Sequence, residues 1–126
     1  MIHDRHYTVE QANRMLPRLE PLLLELREAR DQLTEEEAHE ALSGAAPGNG
    51  GGEPGRRVGE AFLGLRRVLV ELQALGLVVR DVNRGLIDFP AIIEGREVYL
   101  CWQLGEDGVT WWHDLEAGFG GREPLD

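Results

Sequence analysis

Apolar residues recur at alternating steps of four and three along the first third of the chain. The stripe runs through Ala12, Leu16, Leu19, Leu23, Leu26 and Leu33, with Arg30 in the same row. This spacing keeps one helix face apolar and suits the seam of an antiparallel helix pair. The helix opens on Thr8-Val9-Glu10-Gln11, a capping box in which Thr and Gln side chains satisfy free backbone amides. Pro17 and Pro21 each remove an amide donor and crowd the preceding turn, which predicts a kink or break near Leu16. Past Leu33 the stripe fails, and Glu35, Glu36, Glu37 and Glu40 read as the solvated end of a kinked helix over 8–42. A Gly- and Pro-rich run over 43–55 has too little apolar surface to order itself and reads as a flexible loop. Val58, Phe62, Leu65, Leu69 and Leu72 then repeat the four-three seam over 57–75, flanked by Ala61, Val68 and Leu75. Gly76 stops this second helix in a left-handed conformation, with Leu77 placed for an apolar contact.

From residue 77 the period changes to two, the signature of strands. Asn83-Arg84-Gly85, Glu94-Gly95 and Gly105-Glu106-Asp107-Gly108 are the turns between them. These turns set Val79 against Phe89, Arg80 against Asp88, Phe89 against Leu100 and Asp88 against Cys101. They further set Trp102 against Trp111, Cys101 against Trp112 and Leu100 against His113. One face then collects Leu77, Val79, Ile87, Phe89, Leu100, Trp102, Trp111 and His113 as a core. The other collects Arg80, Asp88, Tyr99, Cys101, Gln103, Trp112 and Asp114, where function is to be sought. The expected fold is α+β. A helical hairpin, its first helix kinked at Pro17 and Pro21, packs on a four-stranded antiparallel β-meander over 77–115. Residues 1–126 form one domain, with 116–126 as a tail.

The segments TVEQAN, LPRLEPLL, LGLVVRD, RGLIDFP, GREVYLCW and WWHDLEAGFGGR resemble a bacterial family, domain of unknown function 2203. The resemblance covers nearly the whole chain apart from 43–55 and the first few residues. It carries no activity, ligand or site residue with it.

A net charge of −10 disfavours nucleic acid, whose phosphates need a basic patch, and anionic membranes. No apolar run approaches the ~20 residues of a membrane span, and no leader-like segment opens the sequence. The single cysteine fits a reducing cytoplasm. All 13 basic residues are Arg, which excludes a Schiff-base lysine and a Walker-type phosphate loop.

Asp88 interrupts an apolar strand and needs a partner, for which Arg80 is the cross-strand candidate. Cys101 beside Asp88 is disfavoured as a thiolate. His113 among Leu100, Trp102 and Trp111 reads as a hydrogen-bonded core residue. His3 and His6 would share a helix face and suit a metal, but they fall in a segment that reads as a frayed terminus. The tail is flexible enough to lay Phe119 and Arg122 over the second face, against Trp112 or Tyr99.

The expected function is a non-enzymatic binding or assembly module. It would be a homodimer through surplus helix seam (Leu23, Leu26, Phe62, Leu65, Leu69) or the aromatic sheet face, taking a small polar ligand or a protein partner. Arg80, Asp88, Tyr99, Cys101, Trp112, Asp114 and Arg122 are the ligand-binding candidates. The alternative is a metal-dependent enzyme built on Asp88, His113, Asp114 and Glu116. The sequence names no cofactor.

Overall fold

A computed structural model describes residues 1–43 and 52–126. Three helices, α1 (Val9–Asp31), α2 (Glu35–Ser43) and α3 (Gly52–Ala74), precede β1 (Val78–Asp81), β2 (Leu86–Ile93), β3 (Arg96–Gln103), β4 (Trp111–Asp114) and β5 (Glu123–Pro124). The strands form one antiparallel sheet in chain order. The fold is α+β, with five strands rather than four among the described residues, because the tail adds Glu123 and Pro124 beside β4. The expected loop over 43–55 lies largely outside the described residues, and α3 begins ahead of the expected residue 57.

Thr8 caps α1 as the sequence predicts: its hydroxyl accepts from the Gln11 amide at 3.1 Å, and Gln11 accepts from the Thr8 amide at 2.9 Å. No break follows near Leu16, since α1 runs through both prolines. Pro17 and Pro21 are one turn apart on the solvent face, so water can reach the carbonyls that lose a donor. The opposite stripe, Ala12, Leu16, Leu19, Leu23 and Leu26, is buried and anchors the helix to the core. Residues 8–42 are nevertheless two helices. Thr34 and Glu37 exchange hydrogen bonds of 2.8 and 3.1 Å, a second capping box that restarts the chain as α2.

Ion pairs Arg18–Glu71 and Arg67–Glu25 join α1 to α3 with opposite chain directions, so the two form the expected antiparallel pair. At its end Leu77 donates to the Leu72 carbonyl at 3.2 Å and Gly76 to Gln73 at 2.9 Å, with Gly76 at φ 79°. This is the left-handed stop read from the sequence. The helices cover one sheet face, burying Phe62, Leu65, Val68 and Leu72 with Ile87, Phe89, Val98, Leu100 and Trp102. The seam residues thought surplus, Leu23, Leu26, Phe62, Leu65 and Leu69, are all consumed inside the chain.

The β2–β3 register is the expected one, with Asp88 opposite Cys101 and Phe89 opposite Leu100. Glu94 and Gly95 both take positive φ, the mark of a tight two-residue hairpin whose geometry permits little slippage. Between β1 and β2 a bulge at Arg80 sets Val79 against Ile87 and Val78 against Asp88, two residues from expectation but with the same facing.

The β3–β4 register is off by one. Cys101 opposes Trp111, Leu100 opposes Trp112 and Tyr99 opposes His113. The cause lies in the loop. Glu106 closes a turn by donating to the Gln103 carbonyl, while its carboxylate accepts from the Gln103 amide at 2.7 Å. Asn13 of α1 takes the Val109 amide at 2.8 Å, so β4 starts only at Trp111. A one-residue slip exchanges the faces. His113 and Trp111 join Asp88 and Cys101, while Trp112 joins the helix side. Among the described residues, no helix is long and apolar enough to cross a membrane.

Candidate functional site

The sheet face turned away from the helices carries a buried polar cluster. Asp88 on β2, Cys101 on β3 and His113 on β4 are each 1% exposed, and their ligand-type atoms lie within 4.8 Å of one another. One Asp88 oxygen accepts from Arg80 Nε at 2.7 Å; the other meets His113 Nε2 at 3.0 Å. His113 Nδ1 lies 2.7 Å from the Asp114 carbonyl oxygen. A carbonyl can only accept, so Nδ1 carries a proton. A further proton has to lie between Nε2 and Asp88, whichever atom holds it.

That clamp decides what the cluster can do. A Cys–His–Asp relay needs a ring nitrogen free to take the thiol proton, and both nitrogens here are engaged. Burial, reinforced by the Asp88 charge and only partly opposed by Arg122, pushes the Cys101 thiol up to about 12. A thiol so held is no nucleophile near neutral pH.

Around the cluster runs a belt of paired groups. Arg80 lies 4.9 Å over the Tyr99 ring, and Tyr99 contacts His113 with ring centroids 5.5 Å apart. His3 Nε2 meets the Tyr99 hydroxyl at 2.6 Å. Glu97 accepts from the backbone amides of Ile2 and His3 at 2.8 and 3.0 Å and pairs with His6 at 2.7 Å. Burial alone would raise the Glu97 carboxyl, yet His6 and those amides hold it down to about 2. The first six residues are thus a strap stitched to β3, with Tyr7 donating to the Pro90 carbonyl at 2.7 Å. The frayed terminus expected from the sequence is corrected: its histidines have partners on a distant strand.

At the other end, Arg122 is held between the Trp111 and Phe119 rings at 4.9 and 4.7 Å and pairs with both Glu106 oxygens at 2.8 and 2.9 Å. The tail does fold back over this face, but it meets Trp111, because the register shift has sent Trp112 to the other side.

Of the candidates read from the sequence, the structure gathers Arg80, Asp88, Tyr99 and Cys101, with Arg122 beside them. Trp112 and Asp114 lie on the opposite face, where Asp114 pairs with Arg96 at 3.1 Å. Glu116 is exposed in the turn after β4. The four-residue set Asp88, His113, Asp114 and Glu116 is therefore not brought together; only its first two members meet. Sequence reasoning missed Glu97, Glu106 and the strap. Glu97 shares the parity of Tyr99 and Cys101, a signal that was available for it.

Trp112 opens onto a cleft of about 890 Å³ between the start of α1, the β2–β3 turn and the tail. Val9, Ile93, Val109, Trp111, Trp112, Pro124 and Leu125 line it, with Glu94, Arg96 and Asp126 as its charged groups. Its volume falls within the range of small-molecule sites.

No curated protein and no solved structure matches the chain. A family model matches residues 5–125. The chain belongs to the family described as an uncharacterized conserved protein, DUF2203.

Proposed function

We propose that the chain is a non-enzymatic binding module that takes a small ligand with a flat apolar body into the Trp112 cleft. The observation that carries this reading is the cleft itself, a roughly 890 Å³ space with an aromatic and aliphatic lining. Its charges argue for the polar end of the ligand. Arg96 is neutralised by Asp114 and stacks 5.6 Å over the Trp112 ring. Glu94 and Asp126 have no ion-pair partner among the described residues. A cationic group is therefore favoured over an anionic one. The clamped histidine and the raised thiol of the buried cluster support binding rather than covalent catalysis. A cytoplasmic setting, consistent with the lone cysteine, belongs to the same reading.

Homodimerisation is part of the proposal, on a surface other than the helix seam. Leu63 and Val70, one heptad apart on α3, are 63% and 49% exposed, and Leu24 on α1 is 52% exposed. Exposed apolar side chains on two adjacent helices are suitable contacts for a second copy.

The ligand reading is tested by titrating matched pairs of planar apolar amines and carboxylates, followed by tryptophan fluorescence and by the indole signals in proton–nitrogen correlation spectra. Amines should perturb Trp112, and carboxylates should bind roughly tenfold more weakly, the equivalent of about 1.4 kcal/mol. Trp112→Ala should abolish the response. Equal binding of both charge types, or perturbation that bypasses Trp112, would sink the assignment.

A further inference from the structure

We propose that Asp88, Cys101 and His113 are a binding site for one thiophilic divalent cation of the zinc class. This site is independent of the Trp112 cleft and stands whether or not that cleft takes a ligand.

Three adjacent strands place a carboxylate, a thiol and an imidazole with their ligand atoms inside a 4.8 Å span. Tetrahedral bonds of about 2.0–2.3 Å put neighbouring ligand atoms roughly 3.3–3.8 Å apart. The 3.0 Å contact between Asp88 and His113 has only to open slightly, and the remainder to draw in by about 1 Å. A donor set of one sulfur, one nitrogen and one oxygen suits zinc or cobalt and is too soft for magnesium or calcium. The chain supplies three corners of the tetrahedron.

The surroundings are those that metal ligands need. His113 points Nδ1–H at the Asp114 carbonyl, which fixes the tautomer that leaves Nε2 as the metal-facing atom. Arg80 holds the far oxygen of Asp88, so the nearer one is oriented toward the shared centre. Cys101 is fixed by burial at 1% exposure. Asp88 and His113 are thus held from behind by contacts that metal binding leaves intact.

Isolated charge in a buried site is costly, and the Asp88 carboxylate within the cluster offsets part of the charge that an ion would bring.

Cobalt(II) is the probe, added to chelator-treated protein in two arms: native, and refolded from urea with the ion present, since a site this buried fills slowly. The expected result is one cobalt per chain, with intense tetrahedral visible bands and a thiolate-to-cobalt charge-transfer band. Zinc should abolish both. Cys101→Ala, a mild change at a small buried residue, should lose the charge-transfer band, and His113→Ala should lose tetrahedral cobalt. A His3→Ala/His6→Ala variant should bind as the parent does. Absence of the thiolate band in both arms overturns the site. So does undiminished binding by Cys101→Ala, or dependence on His3 and His6.

Discussion

Asp88 and Glu97 are both buried carboxylates, but they depend on different partners. Arg80 is 40% exposed, so losing Asp88 leaves its guanidinium in reach of water. His113 is 1% exposed and has no such relief. Asp88→Ala should therefore destabilise by about 3–5 kcal/mol, the cost of breaking a buried pair. A double Asp88→Leu/His113→Leu variant should recover much of that loss, and Arg80→Leu combined with Asp88→Leu should recover less. Urea melts of the set decide it; rescue by Arg80→Leu alone would assign the stranded group to arginine. Glu97 makes a pH prediction. Its carboxyl is held near 2 in the fold against an ordinary 4.5, so the charged form is the one the fold prefers. The stabilisation is complete above about 4.5 and is lost as pH falls toward 2. Melting temperatures between pH 6 and about 2 should fall more steeply for the parent than for Glu97→Gln, which should be the less stable protein at the upper end. Parallel curves would remove Glu97 from the acid response.

Among the elements, the β3–β4 connection shows how a distant side chain sets strand facing. Asn13 occupies the Val109 amide from α1, and that contact holds Val109 off the ladder. Asn13→Ala strands a partly buried donor and should cost about 1–3 kcal/mol. Hydrogen exchange at Val109 should quicken while β2 and β3 remain protected; an unchanged Val109 amide would show that the loop holds itself. The same contact explains what the sequence discloses and what it hides. The β2–β3 register is legible because Glu94-Gly95 is a two-residue turn that settles it locally. Capping boxes are local too, and Thr34-Glu35-Glu36-Glu37 carried that signal before α2 even though the run of acids read as a helix end. The β3–β4 register is illegible because its determinant sits 96 residues away. That single residue of slip put His113 in the core of the sequence reading and Trp112 on the wrong face. Asp88 and Arg80 were legible, since a carboxylate amid apolar neighbours announces its need of a partner. The facing of Glu97 is legible from its parity with Tyr99 and Cys101, but its pairing with His6 and the Ile2 and His3 amides is not, because nothing near either segment names the other.

At the scale of the molecule, the seam that would have joined two copies is buried within one, and Leu24, Leu63 and Val70 remain outside. Light scattering at micromolar concentration should give twice the chain mass, and Leu63→Glu should return it to a monomer with unchanged helix content. A parent that stays monomeric at every concentration removes the dimer while leaving the cleft untouched. The strap has a consequence in time. Ile2 and His3 are synthesised long before Glu97, the residue that receives their amides 95 and 94 positions later. At translation rates of about 5–20 residues per second, that acceptor follows by roughly 5–20 s. Until Glu97 is made, the amides of Ile2 and His3 are without that acceptor, so the segment that carries them is seated only after the strand that receives it.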